Sequence, residues 1–140
     1  MALIIKRCSD CKKEIKIYVG QQIFGVDLQL VWHSSYSCSN CGTQIEEDGY
    51  DIPTDEIREA ILAQEGTWSL NIRDIDSYSA TIVIKILRKT LKLSLSDAIK
   101  LKKKIPGKVM EGTKVEVNRL QQFLARHGFQ SLVSKSEILL

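Results

Sequence analysis

Apolar residues alternate with polar ones through most of the first third of the chain, and then fall into helical spacing through the second half. Lys13–Val19 places Ile15, Ile17 and Val19 at every second position, and Ile23–Trp32 carries Phe24, Val26, Leu28, Leu30 and Trp32. Both runs predict strands with one face turned to a core. Gly20 and Gly25 are the expected turn and bulge positions between them. Glu46–Asp51 (EEDGYD) has no such pattern and is expected to be a solvated acidic linker, since it lacks the alternating ligands and distal glutamate of a calcium loop.

Residues 53–66 predict a connecting helix. Thr54 stands at its N-cap, Asp55 and Glu56 in its first turn, Ile57, Ile61 and Leu62 on its apolar stripe, and Gly66 at its end. Thr67–Ile72 alternates again through Trp68, Leu70 and Ile72. A long helix follows, with Ile84, Leu87 and Leu91 on one stripe and Ile82 and Ile86 alongside. Ser94–Asp97 supplies caps for a second helix, which Pro106-Gly107 stops before a brief return strand to Gly112. Thr113 and Glu116 are spaced as a capping box. Val117, Leu120, Phe123 and Leu124 stripe the last helix, Gly128 ends it, and Phe129–Val133 is expected to be the last strand.

The fold class expected is α+β, with a β module at 1–52, the helix at 53–66, an α/β domain at 67–135 and a tail at 136–140 whose Ile138–Leu140 are loose or dock on a neighbour. A chain of 140 residues with 44% hydrophobic content can bury one core or two small ones. Charge sharpens the division. Residues 1–76 hold 7 Lys and Arg against 13 Asp and Glu, a net of −6, and residues 77–140 hold 13 against 4, a net of +9. Such a split suits either two mutually attracting domains or a basic half kept for an acidic partner. No apolar run approaches the length of a membrane span, and MALIIKRC does not read as a signal peptide, so a cytoplasmic protein is expected.

The four cysteines come as Cys8 with Cys11 (CSDC) and Cys38 with Cys41 (CSNC). Each pair lets two thiolates reach one ion from a single tight turn. Strands between the pairs make a zinc-ribbon-like module the natural reading, with one structural Zn2+ held by Cys8, Cys11, Cys38 and Cys41. Two disulfides, or reduced thiols with no ion, are the weaker alternatives, since no export signal is expected and two CxxC pairs rarely arise without a metal. His33 is close by but would be a fifth ligand, and is expected to end a strand.

Val83–Gly112 contains VIKILR, then LSLSDA, then IPGKVMEG. These segments resemble the C-terminal domain of the bacterial ribosomal stalk protein, whose family reads roughly VIKxVR, TGLGLKEAK and a KEG-like turn after a proline. The resemblance extends less sharply to about residue 135. It implies a ClpS-like βααβαβ fold with three helices on a three-stranded antiparallel sheet. It also implies a factor-binding surface at Lys85, Arg88, Leu95 and Asp97. Lys92 and Ser94 stand where the family has glycines, and Ser96 and Ile99 where it has lysines, so a partner other than the family's is expected.

Lys85, Arg88, Lys89 and Lys92 fall on one helix face and, with Leu95 and Asp97, form the candidate partner-binding surface. There is no GxSxG elbow, no phosphate-cradling glycine loop and no carboxylate pair beside an apolar pocket, so an enzyme is not expected. The leading reading is a protein-binding adaptor. Nucleic-acid binding in translation or transcription is an alternative, favoured by the cations and disfavoured by the scarcity of aromatics among them. An inhibitor or immunity-type role is a third.

Overall fold

A computed structural model describes residues 1–136 as α+β, and the chain divides into two compact units, Met1–Gly66 and Thr67–Leu140. The first unit is a four-stranded antiparallel meander of β1 (Ala2–Arg7), β2 (Glu14–Phe24), β3 (Gln29–Ser37) and β4 (Gln44–Tyr50), followed by α1 (Asp55–Glu65). Register pairs Ala2 with Val19 and Ile4 with Ile17, so these side chains share a face. Helix α1 covers that face with Ile57 and Ile61, and Trp32 packs at its margin. The helix is set by the Thr54 hydroxyl, which accepts from the Ile57 N–H, and closed by Gly66, whose φ of 90° suits a residue without Cβ.

Helix α1 also seals one sheet edge. The side-chain amide of Gln64 accepts from the Leu3 N–H at 2.9 Å and donates to the Leu3 carbonyl at 2.6 Å, which makes it a surrogate for a neighbouring strand. Lys6 and Glu56 add an exposed ion pair at 2.6 Å across the same seam.

Several expectations for this unit need correction. Gly20 lies inside β2 opposite His33, and the turn falls at 25–28, where Gly25 takes a φ of 80°, so the strand expected over Ile23–Trp32 is split between the end of β2 and the start of β3. Glu46–Tyr50 is not linker but strand β4, paired to β3 from Val31–Tyr50 to Ser37–Gln44. Its Glu46, Glu47 and Asp48 are all exposed, so it shows no apolar alternation, and it is held through its backbone. His33 consequently sits in mid-strand rather than at a strand end.

The second unit runs β5 (Trp68–Ile72), α2 (Ser77–Leu91), α3 (Leu95–Lys102), β6 (Gly107–Gly112), α4 (Lys114–Arg126) and β7 (Leu132–Lys135). Its antiparallel sheet has the order β6-β5-β7, the βααβαβ arrangement expected. Leu70 and Ile72 of the central strand meet Val83, Ile84 and Leu87 of α2, Ala98 and Leu101 of α3, and Val117, Leu120 and Leu124 of α4. Side chains fully buried in this way contribute about 1.5–3 kcal/mol each for Val or Leu, before entropy is counted.

Each helix of this unit has a side-chain cap. Asp76 Oδ1 accepts from Ser79 N at 2.7 Å, and Ser94 Oγ from Asp97 N at 3.1 Å. Thr113 and Glu116 form the reciprocal box and are both buried. The last strand begins three residues later than expected, at Leu132. Phe129 is used instead in the turn after α4, where its N–H reaches the Leu124 carbonyl and its ring packs on the core. Ser136 N–H bonds the Thr67 carbonyl, and the expectation for Ile138–Leu140 lies outside the described residues. Among the described residues, no helix is long and apolar enough to cross a membrane.

Candidate metal centre

Two turns of matching geometry, thirty residues apart, build the cysteine site. In the first, Cys8 N–H donates to the Lys13 carbonyl at 2.8 Å and Lys12 N–H to the Cys8 carbonyl at 3.0 Å. In the second, Cys38 N–H donates to Thr43 at 2.8 Å and Gly42 N–H to Cys38 at 2.9 Å. Lys12 and Gly42, at equivalent positions, both take positive φ, 66° and 78°. The strands that flank each turn belong to one sheet, so pairing of β2 with β3 fixes the two turns side by side.

This brings the sulfurs of Cys8, Cys11, Cys38 and Cys41 within 4.8 Å of one another. Cys8 and Cys41 are 3.7 Å apart and Cys11 and Cys38 3.5 Å, and all four cysteines are free of disulfides. A tetrahedral tetrathiolate with metal–sulfur bonds of about 2.3 Å has sulfur–sulfur edges of about 3.8 Å. The spacing therefore fits one thiophilic ion with a closed coordination shell. Cys8 and Cys38 are buried beside Ile15, with Tyr36 and Ile17 packed against them, so the inner side of the centre is dry.

The electrostatics of the site call for a cation. Backbone N–H groups of Cys11 and Asp10 hold the Cys8 thiol below its ordinary value. The Lys13 N–H, with the Asn40 side chain, lowers Cys11 to about 6. Cys38 accepts from the Cys41 N–H, and yet burial and the neighbouring thiols of Cys11 and Cys41 push it up to about 11. Four adjacent thiolates repel one another, and a cation bound among them would relieve that repulsion.

Polar side chains tie the two turns across the site. Thr43 Oγ1 donates to Asp10 Oδ2 at 2.6 Å, and Cys41 Sγ donates to Thr43 Oγ1 at 3.1 Å. Ser9 and Tyr36 share a hydrogen bond of 3.2 Å over the first turn. Sequence reasoning missed Asp10, Asn40 and Thr43. The signal that could have found them is the thirty-residue offset, which sets Asp10 against Asn40 and Lys13 against Thr43. His33 stands apart from this network, its ring packed over Gly20.

Lys85, Arg88, Lys89 and Lys92 are exposed on α2 and its C-cap, and Leu95 and Asp97 are exposed in the first turn of α3. Arg88 also has a structural contact, donating from Nε to the Leu93 carbonyl in the α2–α3 turn. Lys92 occupies the left-handed cap position with φ of 55°. Among the described residues, Lys85, Lys89 and Lys92 have no carboxylate within ion-pair distance. No family model, curated protein or solved structure matches the chain.

Proposed function

We propose that the protein is a non-enzymatic, protein-binding adaptor in which a structural zinc ion braces the β module and the second unit presents a cationic helical face to a partner. Zinc is the metal assigned because four thiolates at tetrahedral spacing complete its shell and leave no position for a substrate. The observation that supports the adaptor reading is the surface of α2 and α3. Lys85, Lys89 and Lys92 stand without counter-ions among the described residues, and Leu95 and Ile99 of α3 are 59% and 52% exposed. Cations bordering apolar side chains one helical turn apart suit an acidic partner segment that also carries apolar residues.

The experiment is charge reversal of Lys85 and Lys89 together. Both are exposed and neither makes a hydrogen bond or ion pair among the described residues, so stability should change by only about 0.5 kcal/mol. A protein retained by the wild type from a nuclease-treated lysate, and lost by the double variant, supports the adaptor. Retention that disappears on nuclease treatment would replace it with nucleic-acid binding, whose affinity falls steeply with salt. Equal capture by both forms would show that these lysines are only solvated.

A further inference from the structure

Two backbone hydrogen bonds, one beyond each end of β4, fix which way that strand's polar groups point. Cys38 N–H donates to the Thr43 carbonyl and Asp51 N–H to the Leu30 carbonyl, each at 2.8 Å. Between these points the pairing runs unbroken from Ser37–Gln44 to Val31–Tyr50. Backbone groups alternate sides along an antiparallel strand, so Ile45, Glu47 and Gly49 turn theirs to β3. Gln44, Glu46, Asp48 and Tyr50 turn theirs outward, where the sheet ends, and among the described residues no strand pairs with them there. The opposite edge differs, because Gln64 takes up both backbone groups of Leu3.

The side chains along this open edge are acidic. Glu46, Asp48 and the 69% exposed Tyr50 lie on the face away from α1, since Gly49, between the last two, lies under Trp32 on the α1 side. Glu47 is exposed on the α1 side. Among the described residues none of the three carboxylates has a cation within ion-pair distance. Alternation sends them to different faces, so they do not converge on an ion as the four cysteines do.

We infer that the outer edge of β4 is a docking site for an extended cationic peptide segment, which adds to the sheet as a further strand. Its backbone meets the outward groups of Gln44, Glu46, Asp48 and Tyr50. Lysine or arginine at alternate positions shares the face of Glu46 and Asp48, where opposite charges on neighbouring strands attract. Charge selects this occupant over others. A second copy would set Glu46, Glu47 and Asp48 against their own kind, and a nucleic acid would bring phosphates to the same carboxylates. The edge belongs to the first unit, so the inference stands apart from the cationic face of α2 and α3.

The probe is a capped peptide of seven residues, the length of β4, alternating arginine and valine and titrated into the full chain. Amide exchange is read residue by residue. Without peptide, the N–H groups of Ile45, Glu47 and Gly49 are protected by β3 and those of Glu46 and Asp48 are not. Peptide on about nine-tenths of the sites should slow exchange at Glu46 and Asp48 about tenfold and change the alternate amides little. The same peptide with methylated backbone nitrogens keeps its charge and should lose the effect, and a glutamate-for-arginine version should not bind. Glu46→Gln with Asp48→Asn keeps the strand and should weaken binding several-fold, as expected for two exposed ion pairs. Binding without protection at Glu46 and Asp48, or equal binding of the methylated peptide, overturns edge pairing in favour of loose charge attraction. No binding shows that the carboxylates only guard the edge. Protection of both amides without peptide, rising with protein concentration, puts a second copy there instead.

Discussion

The indole of Trp32 occupies the space that a side chain on Gly49 would need. A Cβ at Gly49 would lie 2.4 Å from Cε2 and Nε1 of the indole, in the partly buried margin of the α1–sheet core. The next residue on β3 makes the same kind of contact on the other face, where a Cβ at Gly20 would meet His33 Cε1 at 2.7 Å. Adjacent aromatic residues thus each lie over a glycine on a flanking strand, one towards the helix and one away from it.

These two glycines should respond differently to substitution. Gly49→Ala forces the indole out of a packed site and should destabilise the metal-loaded first unit by about 1–3 kcal/mol. Gly20→Ala meets an imidazole on the helix-free face, which can swing towards solvent, and should cost clearly less. Denaturant midpoints followed by Trp32 fluorescence, with Trp68 replaced, would rank them. The reverse order would mean that His33 is the more tightly held ring.

Chelation should separate the two units. Four buried apolar residues, Ala2, Val19, Ile57 and Ile61, make the α1–sheet core, and the cysteine end has Ile15 buried beside its cysteines with Ile17 and Tyr36 partly buried against them. Among the described residues, the second unit has eleven buried core residues of its own and no side-chain cluster that could hold a metal ion. A strong chelator should therefore disorder the two cysteine turns of the first unit while α2, α3 and α4 persist. Amide spectra before and after chelation decide this. Simultaneous loss of α4 signals would show that the units unfold as one.

Much of this was legible because it is local. The Thr113–Glu116 box, the paired cysteines and the stripe Val117, Leu120 and Leu124 are set by spacings of three or four residues, which a helix or a tight turn enforces directly. What was not legible depends on distant pairing. Strand β4 has charged residues at positions 46–48 and joins the sheet through β3, so nothing within its own sequence distinguishes it from a linker. The turn was expected at Gly20 because glycine permits turns. Its use there is instead to admit the His33 ring, a requirement that only the β2–β3 register reveals. Phe129 looked like a strand residue because aromatic side chains favour strands, and core packing from a helix-terminal turn uses the same property.

Lys92 caps α2 in the left-handed region, where a residue with Cβ is disfavoured by about 1–2 kcal/mol relative to glycine. Lys92→Gly should accordingly raise the stability of the second unit by about 1 kcal/mol. It also deletes one cation from the proposed partner face. A variant that is more stable and binds less would assign Lys92 to recognition, and one that is destabilised would show that its side chain supports the turn.

The cap of α2 gives a dependence on acid. Backbone and side-chain hydrogen bonds from Ser79 hold the Asp76 carboxyl below its ordinary value of 3.8. A carboxyl with a lowered folded value adds stability that is complete above the unfolded value and is lost as pH falls through the folded one. Protection of the first turn of α2 should therefore be constant above pH 3.8 and decline below it. Asp76→Asn retains an acceptor for the cap and cannot titrate, so its protection should be flat across that window. Hydrogen exchange at Ala80, whose N–H bonds the Asp76 carbonyl, would follow the change.

Because Gln64 already satisfies both backbone groups of Leu3, β1 offers no pairing groups at that position, and the first sheet has its unsealed side at β4. A sheet that can extend from both sides can polymerise; one that extends from a single side stops after one addition. Edge pairing between two copies would therefore join β4 to β4 about a two-fold axis and close on itself, with Glu46, Glu47 and Asp48 of each copy opposing the union. A single glutamine thus takes up the two backbone groups that a strand added beside Leu3 would need.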